Sequence, residues 1–221
     1  MPVNRIRRFG FVNAFLVQED DGLTLIDTTV SRSAKAILGA AGVLGAPIVR
    51  IVLTHAHVDH VGSLDALAAA LPGVEVLITD RDARFLTGDK SLDPEEPQSK
   101  LRGGYPQVST RPTGALVPGG RVGSLEVIAA PGHTPGHVAL LDTRDRTLYC
   151  GDAFSTLGGV ATTAKLNPRF PLPAMATWDK ATELATARAL RALEPARLAP
   201  GHGRVVENPG AAMDAAIAEA S

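Results

Sequence analysis

Short apolar runs rich in valine, isoleucine and leucine recur along the chain between turn residues, and their spacing predicts alternating strands and helices. "FVNAFLV" (11–17) and "LTLID" (23–27), separated by the acidic turn "QEDDG", read as a hairpin. "SRSAKAILGAAG" (31–42) reads as a helix with Ser31 or Ser33 as its N-cap and Gly42 as its stop. "IVRIVLT" (48–54) reads as a buried strand, "GSLDALAAALPG" (62–73) as a helix closed by Pro72-Gly73, and "VEVLIT" (74–79) as a strand. Strand signals return at "SLEVIAA" (124–130), "HVALLDT" (137–143) and "RTLYCGD" (146–152). A helix at 178–195, a strand at 196–200 and a closing helix at 209–220 complete the order. Two stretches, 81–119 and 156–177, lack periodicity and are rich in proline, glycine and polar residues. Unstructured stretches of such length inside a domain are usually functional loops. The whole order implies one domain over residues 1–221, of layered α/β type with two mixed sheets covered by helices.

Composition narrows the function classes. Hydrophobic residues make up 45 % of the 221, charged residues 20 %, and the net charge is -1. That balance fits a globular chain and gives no electrostatic reason to expect nucleic acid or an anionic membrane as partner. The Arg7-Arg8 and Arg188/Arg191 pairs read as solvated faces. Cys150 is the only cysteine, so no intrachain disulfide can form, which fits a reducing compartment. No apolar signal-peptide core follows "MPVNRIRRFG", and no run is long enough to span a bilayer. The expectation is a cytoplasmic protein acting on a small molecule.

Candidate chemistry gathers in "THAHVDH" (54–60), which holds three of the six histidines and an aspartate. Alternate positions 55, 57 and 59 project to one side as the chain leaves a strand, and His60 points elsewhere, so the segment could serve two metals. The other histidines sit at similar junctions: His133 and His137 in "PGHTPGH", His202 in "PGHG". Asp152 closes the strand that ends in "CGD". Strand ends opening into loops are where a rigid sheet can aim ligands into one cleft.

Taken in order, "NAFLV…LIDT", "THAHVDH" (an H-x-H-x-D-H motif), "PGHTPGH", "GD" and "PGHG" resemble the metallo-β-lactamase-fold hydrolases over nearly the whole chain. The resemblance implies an αββα sandwich with a dinuclear site above its two sheets. It makes His55, His57 and His133 ligands of one metal, Asp59, His60 and His202 ligands of the other, and Asp152 the bridge between them. It places His137 outside the metal coordination and gives Asp27 of "LIDT" the role of bracing the histidine loop. Two divalent cations are implied, zinc foremost, with iron or manganese as alternatives. A metal-bridging hydroxide would be the nucleophile and Asp59 the catalytic residue that orients it.

Departures from known branches of that family direct the substrate expectation. Asp152 stands where the common dizinc β-lactamases place a cysteine. Only 19 residues follow His202, too few for the helical domain with which glyoxalase II grips glutathione. Ser155 replaces the tyrosine common in acyl-homoserine lactonases, and the arm and basic features of ribonuclease Z are not found. A small ester, thioester or lactone is the expected substrate. The main alternative is a mononuclear iron enzyme like the persulfide dioxygenases, although "GDAFSTLGGV" lacks their arginine. A phosphodiesterase or a non-catalytic metal-binding module are further alternatives. Within the two irregular segments, Arg102, Tyr105, Arg169 and Phe170 are the candidate substrate contacts.

Overall fold

The computed structural model of the protein describes residues 3–221, leaving Met1 and Pro2 outside, and it sorts the chain into two sets of strands backed by helices. The first set comprises β1 (Asn4–Arg8), β2 (Val12–Glu19), β3 (Gly22–Ile26), β4 (Ile48–Val52), β5 (Glu75–Ile78) and β6 (Gly114–Ala115). Between them run α1 (Ala34–Leu44), α2 (Val58–Val61), α3 (Leu64–Ala70) and α4 (Asp80–Leu86). The second set comprises β7 (Arg121–Val122), β8 (Leu125–Ala129), β9 (Val138–Asp142), β10 (Thr147–Ser155), β11 (Ala161–Thr162), β12 (Arg197–His202) and β13 (Val206–Glu207). Its helices are α5 (Leu172–Ala176), α6 (Lys180–Ala192) and α7 (Gly210–Ala220).

Side-chain alternation along the strands produces the layers. On β2, Ala14 and Leu16 enter a core shared with α1, α3 and α4, whereas Phe15 and Val17 enter a second core. On β9, Val138 and Leu140 enter that same second core, whereas Ala139 and Leu141 face a third, lined by Ala187 and Leu190 of α6 and Met213 of α7. The second core therefore lies between two sheets and the other two lie beneath helices, an αββα sandwich as the resemblance implies. Each buried leucine, isoleucine or valine contributes about 1.5–3 kcal/mol, so three stacked cores hold the frame on which the loops rest.

The two sheets meet at a narrow seam. The path runs β6-β5-β4-β3-β2 and continues β12-β10-β9-β8-β7. Strands β2 and β12 pair through Val12 and His202 alone. Asn13 reinforces the join by donating from Nδ2 to the Pro200 and Gly203 carbonyls at 2.8 and 2.7 Å.

Several elements differ from the sequence expectation. Helix α1 continues past Gly42 and ends at Gly45, whose left-handed φ of 70° closes the last turn. Apolar periodicity resumes after Gly42, and one interior glycine costs a helix only about 1 kcal/mol. Ser33 precedes that helix without capping it; its hydroxyl accepts from Arg8 Nε. The helix expected at 62–73 is α3, Leu64–Ala70, and the short α2 precedes it across a break at Gly62-Ser63. There the Gly62 N–H donates to Thr29 O and the Ser63 hydroxyl to Val30 O, so the loop leaving β3 crosses the break. The irregular stretch 81–119 contains most of α4 and β6, and 156–177 contains β11 and α5. Charged β1, with only Ile6 buried, is a strand that the pattern did not predict.

Candidate metal centre

Most motif residues reach the site from a strand end or the turn beyond it; Asp152 is the exception, since β10 runs on to Ser155 instead of closing at "CGD". β4 leads into Thr54–His57 and α2 carries Asp59 and His60; His133 and His137 lie between β8 and β9; Asp152 lies within β10, and His202 ends β12. Their donor atoms form three overlapping groups, each with atoms within 4.8 Å of one another: His55, His57 and His133; His55, His60 and Asp152; Asp59, His60 and His202. His60 Nε2 lies 3.2 Å from Asp152 Oδ1, and Asp152 Oδ2 lies 3.4 Å from His133 Nε2 and 3.1 Å from His202 Nε2. Asp152 thus reaches into both halves of the cluster.

The partners of each imidazole decide which nitrogen is left for a cation. Thr54 Oγ1 is engaged with the Asp27 carboxylate and accepts from His55 Nδ1 at 3.0 Å, which leaves His55 Nε2 free. His60 donates from Nδ1 to Asp27 Oδ2 at 2.8 Å, and His202 from Nδ1 to Phe11 O at 3.2 Å. Thr177 Oγ1, itself donating to a backbone carbonyl, accepts from His133 Nδ1 at 3.1 Å. His57 is reversed: its Nε2 donates to Arg102 O at 3.0 Å, so Nδ1 faces the cluster, 3.0 Å from His133 Nε2. Five imidazole nitrogens therefore converge with two carboxylates. His55 Nε2 is buried with no hydrogen-bond partner, and His60 Nε2 and Asp152 Oδ1 meet only each other at 3.2 Å, an arrangement that a divalent cation would satisfy.

His137 has no lone pair to offer. Its Nδ1 donates to Ala130 O at 2.8 Å and its Nε2 accepts from the Asp152 backbone N–H at 3.1 Å. It holds the strand that presents Asp152. Asp27 adopts a left-handed φ of 59°, and its carboxylate accepts from Thr54 N at 2.8 Å as well as from the Thr54 hydroxyl and His60. One carboxylate thereby fixes both ends of the histidine segment, the bracing role expected for it.

Electrostatics divide the histidines into two groups. Burial holds His55 and His133 well below the ordinary imidazole value and His57 and His137 at about 4. Against the same desolvation, the Asp152 and Asp27 carboxylates hold a proton on His60, and Asp152 with Asp59 pushes His202 up to about 9. Burial acts to raise Asp59 too, yet the neighbouring His202 and His60 keep its carboxyl well below the usual range. The protons on His60 and His202 stand where a bound cation would supply the positive charge.

Asp82 was not anticipated. Buried on α4, it accepts from Ala56 N at 2.9 Å, from the Thr134 hydroxyl at 2.7 Å and from Gly136 N at 2.7 Å. It thus ties the histidine segment to the loop that carries His133. The "TDRD" stretch held a signal for it, since Thr79 at the N-cap accepts from Asp82 N, half of a capping box. Trp178, which opens the helix expected at 178–195, is buried. Its indole donates to Ser99 O at 3.0 Å and its backbone N–H to His133 O at 3.1 Å, so it anchors the 99–105 segment and the His133 loop together.

The candidate substrate contacts separate. Arg102 serves the cluster through its carbonyl, and its side chain is exposed. Tyr105 packs against His57, ring centroids 4.6 Å apart, and against Phe85. Phe170 packs on Phe11 and His202 at 5.7 and 5.4 Å. Arg169 donates to Gly158 O and lines a different cavity of about 500 Å³ beside α7, away from every histidine. A cavity of about 390 Å³ opens directly onto His57, Asp59, His133, Asp152 and His202. Among the described residues, no helix is long and apolar enough to cross a membrane.

Comparison with known proteins agrees with this geometry. Residues 7–202 match the model of the metallo-beta-lactamase superfamily. The chain is 45 % identical to the uncharacterized protein YobT of Bacillus subtilis over 95 % of its own length and 90 % of YobT. It is 32 % identical to the probable metallo-hydrolase YflN of the same organism, over 86 % of this chain and 80 % of that one. Its structure resembles the crystal structure of TTHA1623 in a di-iron-bound form, with a TM-score of 0.65, 27 % identity, and coverage of 90 % of this chain and 91 % of that one.

Proposed function

The chain belongs to the metallo-beta-lactamase superfamily and is a metal-dependent hydrolase of it, and from that premise we propose a dinuclear enzyme that hydrolyses a small ester, thioester or lactone. The observation that carries this reading is the Asp59, His60 and His202 group, complete beside the His55, His57 and His133 group and linked to it by Asp152. A mononuclear iron centre of the persulfide dioxygenase kind would have no need of His60 or His202.

In this reading His55, His57 and His133 would hold one divalent ion, Asp59, His60 and His202 would hold the other, and Asp152 would serve both. Two divalent ions held there would acidify a water and polarise the substrate carbonyl. The remaining work falls to the chain. Asp59, its side chain 30 % exposed and 3.2 Å from His202 Nε2, orients the attacking water as an ionised acceptor. Asp27 and His137 keep ligands in register, and the cavity walls limit access of bulk water. Cys150 takes no part, since burial pushes its thiol far up and it lies in the core beneath α6. Zinc suits a site of imidazoles and carboxylates without thiolate. Iron is the alternative, given the di-iron form of TTHA1623.

Elemental mass spectrometry of protein purified without added metal, followed by turnover on an ester, thioester and lactone panel, tests the reading. About two zinc or two iron per chain with hydrolysis is expected. His60→Ala and His202→Ala should each lose at least a hundredfold in kcat/KM. One iron per chain, or full turnover in both variants, would end the dinuclear proposal.

A further inference from the structure

The 390 Å³ cavity above the cluster has a one-sided chemistry. Its floor is the metal cluster. Its walls are Phe11, Val12, Val30, Val58, Leu172 and Pro173, together with the bare backbone of Gly103-Gly104. Among the described residues, no lysine or arginine lines it. Arg169 faces the other cavity and the Arg102 side chain is exposed, so neither supplies a cation here. Among the described residues, the ionisable groups that line this space are those of the cluster itself. Apolar side chains also stand in water at its mouth: Val58 is 47 % exposed and Leu172 56 %, with Met175 one turn further along α5 at 58 %. Large apolar residues gathered in water at the opening of a cavity mark a surface made to be covered. The volume falls in the range of small-molecule sites.

We infer that this cavity receives the acyl group of the substrate as an uncharged aliphatic chain, so that the enzyme selects medium-chain acyl esters, thioesters or lactones over short, phosphorylated or carboxylate-bearing ones. The inference rests on the hydrolase reading of the metal centre and adds the class of acyl group. A carboxylate at the far end of the chain would lose its hydration against Val30, Val58 and Leu172 with no cation to receive it. A methylene added to the chain exchanges water for those same walls.

Binding and turnover test it separately. Straight-chain methyl ketones from 2-butanone to 2-undecanone are neutral and cannot be hydrolysed, and calorimetry on the metal-loaded enzyme would give their affinities. Kd should fall about three- to fourfold per added methylene until the chain fills the cavity. A keto acid of equal length, with its carboxylate at the far end, should bind at least tenfold more weakly. Leu172→Asp, at an exposed position outside the core, should flatten the series, and Phe11→Ala should weaken its long members. Equal affinity along the series, no ketone binding, or tighter binding of the keto acid would overturn the inference. The kcat/KM values of p-nitrophenyl acetate, butyrate, hexanoate and octanoate provide the second arm, and a rise with length is expected. A ketone gradient with no hydrolysis of any ester sinks the hydrolase reading and leaves the cavity assignment standing. Hydrolysis that does not vary with chain length does the opposite.

Discussion

Asp82 accepts three hydrogen bonds from two loops, and Thr79, which caps the same helix, adds a bond from its hydroxyl to Gly136 O at 2.7 Å. Asp82→Asn replaces an acceptor oxygen by a donor and faces at least one N–H with an N–H. Each buried donor left unpaired costs about 1–3 kcal/mol. The expected outcome is a lower urea midpoint together with a 10- to 100-fold weaker metal affinity, read by competition with a chromophoric chelator. Asp82→Glu should recover the second quantity in part, which a general loss of stability would not explain. The histidines yield a pH prediction. In the metal-free chain His55, His57, His133 and His137 have folded values below the unfolded value of about 6.5, because burial disfavours their charged forms. Their contribution to stability is present in full above that value and is lost as pH falls through 6.5 toward 4. His60 and His202, shifted upward, act oppositely: their contribution grows as pH falls through 6.5 and is complete only below it. Urea unfolding of chelated protein should therefore weaken chiefly between about pH 6 and pH 4, and in His137→Gln the decline should be shallower. The seven ligand candidates were legible because histidines crowded at strand ends have few structural uses. Asp82 was not, because an aspartate in "DRD" looks like any other first-turn acid until its distant partners are placed beside it.

Strands obeying alternation, such as β2, β3, β9 and β10, were readable, because a half that faces helices and a half that faces the opposite sheet both demand apolar residues. Short elements were not. Helix α4 has seven residues, too few for a period of 3.6 to emerge, and β1 presents only Ile6 to the core. The "LRGGYP" segment was read as a carrier of side chains for the substrate, yet it acts chiefly as backbone. Arg102 O holds His57 Nε2, and Gly103, at a φ of 80°, passes so close that a Cβ there would collide with the His57 ring. Gly103→Ala must therefore shift the segment or rotate His57. A displacement of about 1 Å near reacting groups can cost a hundredfold in rate. The expected result is a kcat loss of that order, with a melting temperature within a few degrees of the native chain. Unchanged kcat would show that the segment does not govern His57.

Four of the candidate ligands come from residues 55–60 and three from residues 133–202, so the centre straddles both halves of the sandwich. Cations bound there would hold the sheets together in addition to serving chemistry. A ligand present at 1,000 times its Kd stabilises a fold by about 4 kcal/mol, so chelation should lower the melting temperature by several degrees. Hydrogen exchange after chelation should accelerate first at Val12, Gly203 and neighbouring amides, where β2 and β12 share a single pair, and last in β3, β4 and β9. Uniform acceleration would mean that the seam is no weaker than the rest.

That seam also sets when the centre can come into being. During synthesis the first sheet can close with His55, His57, Asp59 and His60 already gathered at its rim, but His202 and the β12 strand it ends are made about 140 residues later. By then the His55, His57 and His133 group and Asp152 have been made, and only the Asp59, His60 and His202 group still waits for its last member. Two ions bound to this chain would therefore be held by groups completed at different times, the second only when the last strand has joined the seam.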